Sequence, residues 1–445
     1  GQDYEIHKGW MEQARANPWS FLTEEQPPVL GISRTSPLLY HLLAAAAASW
    51  GPFSRDRNVG LFNLLTGLGG LFLFMATARI WIGHVAIRTS LYLFLAFLPV
   101  FCIHNLVMAA DVLTMPAGGM ILLGISKVLA ERGRAARLGI ALITIGLLVG
   151  ILTKYTFSVA PLAVLILAIL LARRRDVPRR RLVWLLSAGF CVPSLVAGGI
   201  WLHSHKTLDS HFKLDKLDPE RGTSFSLSDV LLLKSNDVDL LEAIPYSRRR
   251  DLLTQREDSA PYPEVGKEPG ENRVFSLLEA HRYSYQALLV DALFSDIMNV
   301  RQKGRTGLLY FGPRSTINQQ RMNGAIKGGW LLYFLGLLTT GWALFGSLRR
   351  GRSIGDNRSF FILNALALAL LLAGPVIVTM LYAYDGYGGG YWMPRLILFA
   401  LASALLACFT WLDLLNRRFS RRLGWPLLAI SLSQAALYVS FLVVY

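Results

Sequence analysis

Long apolar runs separated by short charged connections govern this 445-residue chain. A helix needs about 17 to 25 mostly apolar residues to cross the hydrocarbon of a bilayer. Runs that meet this requirement lie at 58–82, 87–104, 109–130, 137–153, 155–172, 182–203, 329–348, 359–383, 393–414 and 425–445. They predict ten spans. The segment 36–50, Ser36-Pro-Leu-Leu-Tyr-His41 followed by leucines and alanines, is apolar but too short to cross unaided. The stretch 204–328 breaks the pattern, because Lys, Asp, Glu, Ser and Pro replace Leu and Ala there. Its middle, from Arg248–Arg250 through Ser259-Ala-Pro-Tyr-Pro to Lys267-Glu-Pro-Gly, is rich in turn formers. Residues 273–301 carry apolar positions at helical spacing, which predicts a helix over the membrane mouth. The pattern divides the chain into an N-terminal outer region (1–57), a transmembrane module (58–203), a long outer loop (204–328) and a second transmembrane module (329–445). The predicted class is an all-α polytopic membrane protein.

Composition agrees with that class. At 53% hydrophobic residues, 17% charged residues and a mean hydropathy of +0.41, a soluble globular chain would have nowhere to put its apolar surface. The formal charge of +16 does not indicate nucleic acid, because the surplus sits in short arginine clusters between the runs. One set of connections carries Arg79 and Arg88; Arg132, Arg134 and Arg137; six arginines in Arg173–Arg181; Arg349, Arg350, Arg352 and Arg358; and Arg417, Arg418, Arg421 and Arg422. The alternate short connections, 105–108, Lys154 and 384–392, carry one positive charge. Positive charge in short loops marks the cytoplasmic side, so residues 1–57 and 204–328 are expected outside. Had 36–50 crossed, every later loop would change sides. That segment is therefore expected to be an amphipathic helix in the outer interface, with Trp10, Trp19 and Phe21 as aromatic anchors before it. The cysteines Cys102, Cys191 and Cys408 all fall within apolar runs and suggest no disulfide framework. The chain opens on Gly rather than Met, so a preceding segment is expected. The sequon Asn357-Arg-Ser falls on the cytoplasmic side, and the arginine- and alanine-rich composition points to a bacterial inner membrane with the site facing the periplasm.

Ionisable groups at membrane depth are costly and become functional candidates. Asp3, Glu5 and His7 open the chain; Asp111 starts a run after His104 and Asn105; Lys154 separates two runs. The last outer connection, Tyr384-Asp-Gly-Tyr-Gly-Gly-Gly-Tyr391-Trp-Met-Pro-Arg395, adds a glycine run, aromatics and a cation. All of these fall on one side by the loop parity. A carboxylate can take the proton of an incoming hydroxyl or amine during displacement at a sugar carbon. Cations can hold a phosphate leaving group and offset the charge that develops on it. A carboxylate with His7 could instead ligate Mg or Mn bridging the phosphate. Each group also has an ordinary role open to it. Asp3 and Glu5 suit a solvated terminus, Asp111 a helix cap, and Lys154 and Arg395 the headgroup region. His7, His41 and Tyr40 suit the interface. Their shared side is what sets them apart.

Taken in order, these elements resemble the GT-C superfamily of polyprenyl-phosphate-sugar-dependent glycosyltransferases, the group that includes the lipid A aminoarabinose transferases and protein O-mannosyltransferases. The resemblance rests on Gly1-Gln-Asp-Tyr-Glu-Ile-His7, the Ser36-Pro-Leu-Leu-Tyr40 segment, Ala-Ala-Asp111-Val-Leu, Gly150-Ile-Leu-Thr-Lys154 and Tyr391-Trp-Met-Pro-Arg395. It implies a bundle of about ten or eleven spans, the first of them before Gly1. It gives the role of base to Asp3, with Glu5 second, although Tyr4 separates two acidic residues that the family often has adjacent. It puts Lys154 and Arg395 on the lipid phosphate, with Asp111, Tyr155, Tyr391 and His41 around the substrate. The implied reaction is an inverting transfer from a polyprenyl-phosphate-linked sugar to a lipid, glycan or protein acceptor, with membrane lipids as surroundings and no nucleic acid. The only cofactor question is the divalent ion at His7. An O-antigen ligase or polymerase is one alternative, and it would rely on loop residues such as Arg248–Arg250 or His281. A lipid-linked-sugar flippase or transporter is another, and it would spread charges through the depth of several spans. Here they gather at one face, which favours the enzyme.

Overall fold

A computed structural model describes residues 2–23, 39–50, 52–97, 111–130, 133–154, 157–158, 160–172 and 178–207, and, in the C-terminal part, 405–406, 409–410, 412–413, 416 and 423–443. Among them every regular element is helical, and four helices are long and apolar enough to cross a membrane. The protein is an all-α polytopic membrane protein. Its helices are α1 (Gln2–Ala16), α2 (Pro18–Thr23), α3 (Leu39–Trp50), α4 (Arg55–Trp81), α5 (Val85–Ala96), α6 (Asp111–Ala130), α7 (Arg134–Thr153), α8 (Pro161–Ala172), α9 (Arg179–Leu186), α10 (Val192–Thr207) and α11 (Gly424–Val443). A π-helical turn, Ser187–Cys191, joins α9 to α10 into one 22-residue candidate span, Arg179–Ile200. The spans expected at 329–348 and 359–383, most of 393–414, and the loop from 208 to 328 lie outside the described residues.

The centre of the described bundle is α6, 78% of whose apolar window is buried, against 28% for α4 and 17% for Arg179–Ile200. Lipid tails give apolar helices no hydrophobic reason to associate, so close approach through small residues has to supply the attraction. The α6–α7 pair is built that way. A Cβ at Gly124 would lie 2.5 Å from the Gly139 carbonyl oxygen, and one at Gly146 would lie 2.7 Å from that of Ala117. The pairing of 124 with 139 and of 117 with 146 makes the two helices antiparallel. Helix α4 runs beside α6 in the same direction, with Gly70 against Met115 and Pro116, and with the Trp81 indole donating to Ser126 Oγ at 2.8 Å. The π turn is held from α7 as well, since the Thr144 hydroxyl lies 3.1 Å from the Ala188 carbonyl and 3.0 Å from its own Ile140 carbonyl. On α4 the exposed positions Leu61, Leu64, Leu65, Leu68 and Phe72 form a stripe at helical spacing, a face suited to lipid rather than water.

One run folds differently from its reading as a single helix. Among the described residues of 155–172 the α-helix begins at Pro161, and before it Phe157 N donates to Lys154 O and Ala160 N to Phe157 O. Proline suits a first helical position because its missing N–H would have no partner there. The turn also carries Phe157 back against Gly150, where any Cβ would collide with the ring.

These directions sort the chain's ends. The starts of α4 and α6 and the end of α7 lie at one end of the bundle. Trp81, Ser126 and Gly133 lie at the other, which is also the end of Arg79, Arg88, Arg134 and Arg137.

Candidate functional site

At the end opposite the arginines, the short helices α1 and α3 pack against the spans through a second apolar cluster. It contains Trp10, Met11 and Ala14 of α1; Tyr40, Ala44, Ala45 and Ala48 of α3; Val59 of α4; and Val112 and Leu113 of α6. Within 36–50, residues Leu39–Trp50 form the helix α3. Its buried positions 40, 41, 44, 45 and 48 form one stripe facing protein.

The polar groups in this cluster bond mainly to one another. His7 Nδ1 lies 3.0 Å from His41 Nε2, and the two rings stack with centroids 5.2 Å apart. A hydrogen bond between two imidazole nitrogens needs a proton on one and a lone pair on the other, so the pair shares one proton. Trp10 meets both rings edge-on, at 5.7 Å from His7 and 5.4 Å from His41. The Trp10 indole nitrogen is buried and has no hydrogen-bond partner among the described residues. Tyr40 adds edge contacts to both imidazoles, and its hydroxyl donates to Asn63 Oδ1 on α4 at 3.3 Å. His41 is fully buried and His7 partly so. The rim carries ion pairs: Lys8 to Asp56 at 3.1 Å, Glu12 to Arg15 at 3.2 Å and Glu12 to Arg55 at 3.9 Å.

The residues singled out in the sequence distribute as follows. Asp3, Glu5 and His7 all lie on α1, Asp111 is the first residue of α6, and Lys154 caps the C-terminus of α7, its N–H bonded to Gly150 O at 2.8 Å. The antiparallel register brings Lys154 level with the start of α6, and α3 also touches α7. Tyr155, Tyr391 and Arg395 lie outside the described residues. Asp3 and Glu5 lie near the start of α1, and further along the helix Trp10, Met11 and Ala14 are buried.

For a divalent ion, His7 has one ring nitrogen already committed to His41. Among the described residues no group of three or more His, Cys, Asp or Glu side chains is placed to hold a metal.

The sequence did not single out the joint at the arginine-rich end. There the Asp413 carboxylate accepts the backbone N–H groups of Gly83 and His84, each at 3.0 Å, just before α5 begins. Asn416 Oδ1 accepts those of Leu423 at 2.9 Å and Gly424 at 3.1 Å, where α11 begins. The only sequence signal was an Asp and an Asn four and one residues before an arginine cluster.

No protein-family model and no curated protein sequence matches the chain. Two solved structures are similar to it: ArnT from Cupriavidus metallidurans in the apo state and the same protein bound to undecaprenyl phosphate. Their sequence identities are 13% and 14%, and both alignments cover 93% of this chain and 72% of the other, with a TM-score of 0.36.

Proposed function

We propose that this protein is an integral membrane glycosyltransferase that moves a sugar, with inversion, from a polyprenyl-phosphate carrier to an acceptor at the α1/α3 end. Asp3 takes the proton of the acceptor hydroxyl or amine as the acceptor's lone pair bonds to the anomeric carbon. The bond from that carbon to the phosphate oxygen breaks, and the phosphate departs with the electron pair. Lys154, and Arg395 by its place in the resemblance, meet the developing charge. Asp111, Tyr155 and Tyr391 belong to the substrate side in the same reading.

The observation that carries the proposal is the gathering at one end of α1, α3, the start of α6 and the end of α7, which bear Asp3, His7, His41, Asp111 and Lys154. Asp3 is taken as the base by its place in the resemblance, with Glu5 second. His7 and His41 form a firm support one helical turn from Asp3, and they make a divalent ion at His7 the secondary route.

The test is transfer in vitro from defined polyprenyl-phosphate sugars by wild type, Asp3→Asn and Glu5→Gln, with a chelator arm. We expect Asp3→Asn to reduce turnover about 10²- to 10⁴-fold, Glu5→Gln to retain it, and chelation to leave it unchanged. Full activity in Asp3→Asn would remove the base assignment, and no turnover with any lipid-linked sugar would remove the class.

A further inference from the structure

Helix α4 is longer than the hydrocarbon of a bilayer requires. Its 27 residues rise about 40 Å, against about 30 Å of hydrocarbon, and the usual tilt of about 20° absorbs little of the excess. Its ends therefore stand in the two headgroup layers. The exposed stripe of Leu61, Leu64, Leu65, Leu68 and Phe72 has an exposed arginine on the same face at each end. Arg57 lies four residues before Leu61, and Arg79 lies seven after Phe72. The rise from Arg57 to Arg79 is about 33 Å, which matches the hydrocarbon thickness. Arg57 thus stands at the level of the lipid phosphates on the α1/α3 side.

The connection that leads from α3 into α4 displays aromatic side chains at that level. Trp50, the last residue of α3, is 87% exposed, and Phe53 is 56% exposed. The connection is held in place by Asn58, the buried neighbour of Arg57. Its Oδ1 accepts from Phe53 N and its Nδ2 donates to Phe53 O, both at 3.0 Å. Large aromatic rings fixed toward the outside are costly in water and suit the membrane interface. The charges that open α4 divide in the same sense. Arg55 meets Glu12 and Asp56 meets Lys8, both partners being on α1. Arg57 forms no ion pair among the described residues and lies on the lipid face. A guanidinium there has the fork geometry that suits a phosphate. We infer that Arg57, Trp50 and Phe53 hold the phosphate end of a membrane glycerophospholipid, whose acyl chains lie along the α4 stripe. The bound lipid fixes the depth at which this end of the bundle meets the membrane.

The experiment uses the full chain and two variants at exposed positions, where substitution leaves the fold intact. In phospholipid vesicles, the fluorescence lost in Trp50→Phe isolates Trp50 from the other tryptophans. Phosphatidylcholine brominated near the headgroup should quench that component more strongly than the same lipid brominated near the chain end, and aqueous iodide should quench it weakly. In native mass spectrometry of the delipidated protein, Arg57→Gln should weaken one phosphatidylglycerol binding step about five-fold. Binding of a galactosyl diacylglycerol with the same chains, which has no phosphate, should not change. Quenching of Trp50 by iodide alone would place it in water, and quenching by none of the three would place protein over it. Either result, stronger quenching from the chain end, or an Arg57→Gln protein that binds both lipids as wild type does or loses both equally, would overturn the inference.

Discussion

The two ends of this bundle differ in how their polar side chains are tied down. At the arginine-rich end Asp413 and Asn416 bond to backbone N–H groups, and they come from residues 330 and 8 positions away from the groups they hold. At the α1/α3 end the Asn58 amide also holds backbone, that of Phe53, but three bonds run from side chain to side chain: His7 with His41, Tyr40 with Asn63, and at the rim Lys8 with Asp56. A side chain engaged with a helix terminus fixes where that helix begins and has no freedom to exchange protons. Side chains that hold one another can shift a proton or accept a ligand without unfolding a helix end. The first arrangement builds the scaffold; the second suits chemistry.

The largest expected effect tests this contrast across the two ends. Loss of a positioned general base costs about 10² to 10⁴ in rate, so Asp3→Asn should reduce transfer by that factor while leaving the thermal midpoint of the detergent-solubilised protein unchanged. Asp413→Ala should show the reverse. It strands two N–H groups at the start of α5, at about 1 to 3 kcal/mol each, partly offset because unfolded segments in a membrane also find partners. Denaturant unfolding followed by tryptophan fluorescence should register a loss of about 2 to 4 kcal/mol, with turnover per folded molecule retained. A stable Asp413→Ala protein that is inactive would break the division between the ends.

How much of this was legible in the sequence depends on the kind of bond involved. The spans α4, α6 and α7 begin and end within a few residues of their apolar runs, because a bilayer-crossing helix has to match its run in length. Loop parity kept 36–50 from being a span, and α3 at 12 residues is too short for one. Arginine asymmetry also placed Asp111 and Lys154 at one end, as the antiparallel α6–α7 pair does. The break before Pro161 was legible in principle, from the proline itself. The pairing of His7 with His41 and of Asp413 with Gly83 and His84 was not. Contacts across 34 and 330 residues leave no periodic trace, and a fully buried histidine reads the same as an interfacial one when only its own helix is considered.

A middle-sized effect probes the imidazole pair. His41→Phe retains the ring stack against His7 and Trp10 but removes the nitrogen that faces His7 Nδ1. About 1 to 2 kcal/mol of stability should be lost, and a cycle with His7→Phe should give a coupling of about 0.5 to 1.5 kcal/mol. Coupling near zero would mean that the stacked rings pack together without sharing a proton. In that case the α1/α3 end would hold apolar contacts where the contrast requires exchangeable ones.

The smallest effect comes from the rim of the same end. Lys8 and Asp56 lie 3.1 Å apart, with 35% and 52% of their side chains exposed. Water and salt screen such a pair, and ordering two flexible side chains offsets much of the attraction, so it is worth about 0 to 1 kcal/mol. Lys8→Ala should therefore shift the unfolding midpoint by less than either His41→Phe or Asp413→Ala, and the shift should shrink further as salt is raised. Because Lys8 lies between His7 and the exposed face of α1, the variant also asks whether the helix is held by its rim or by its buried stripe. A loss as large as that of His41→Phe would mean that the rim pair, rather than Trp10, Met11 and Ala14, sets the position of α1 and hence of Asp3.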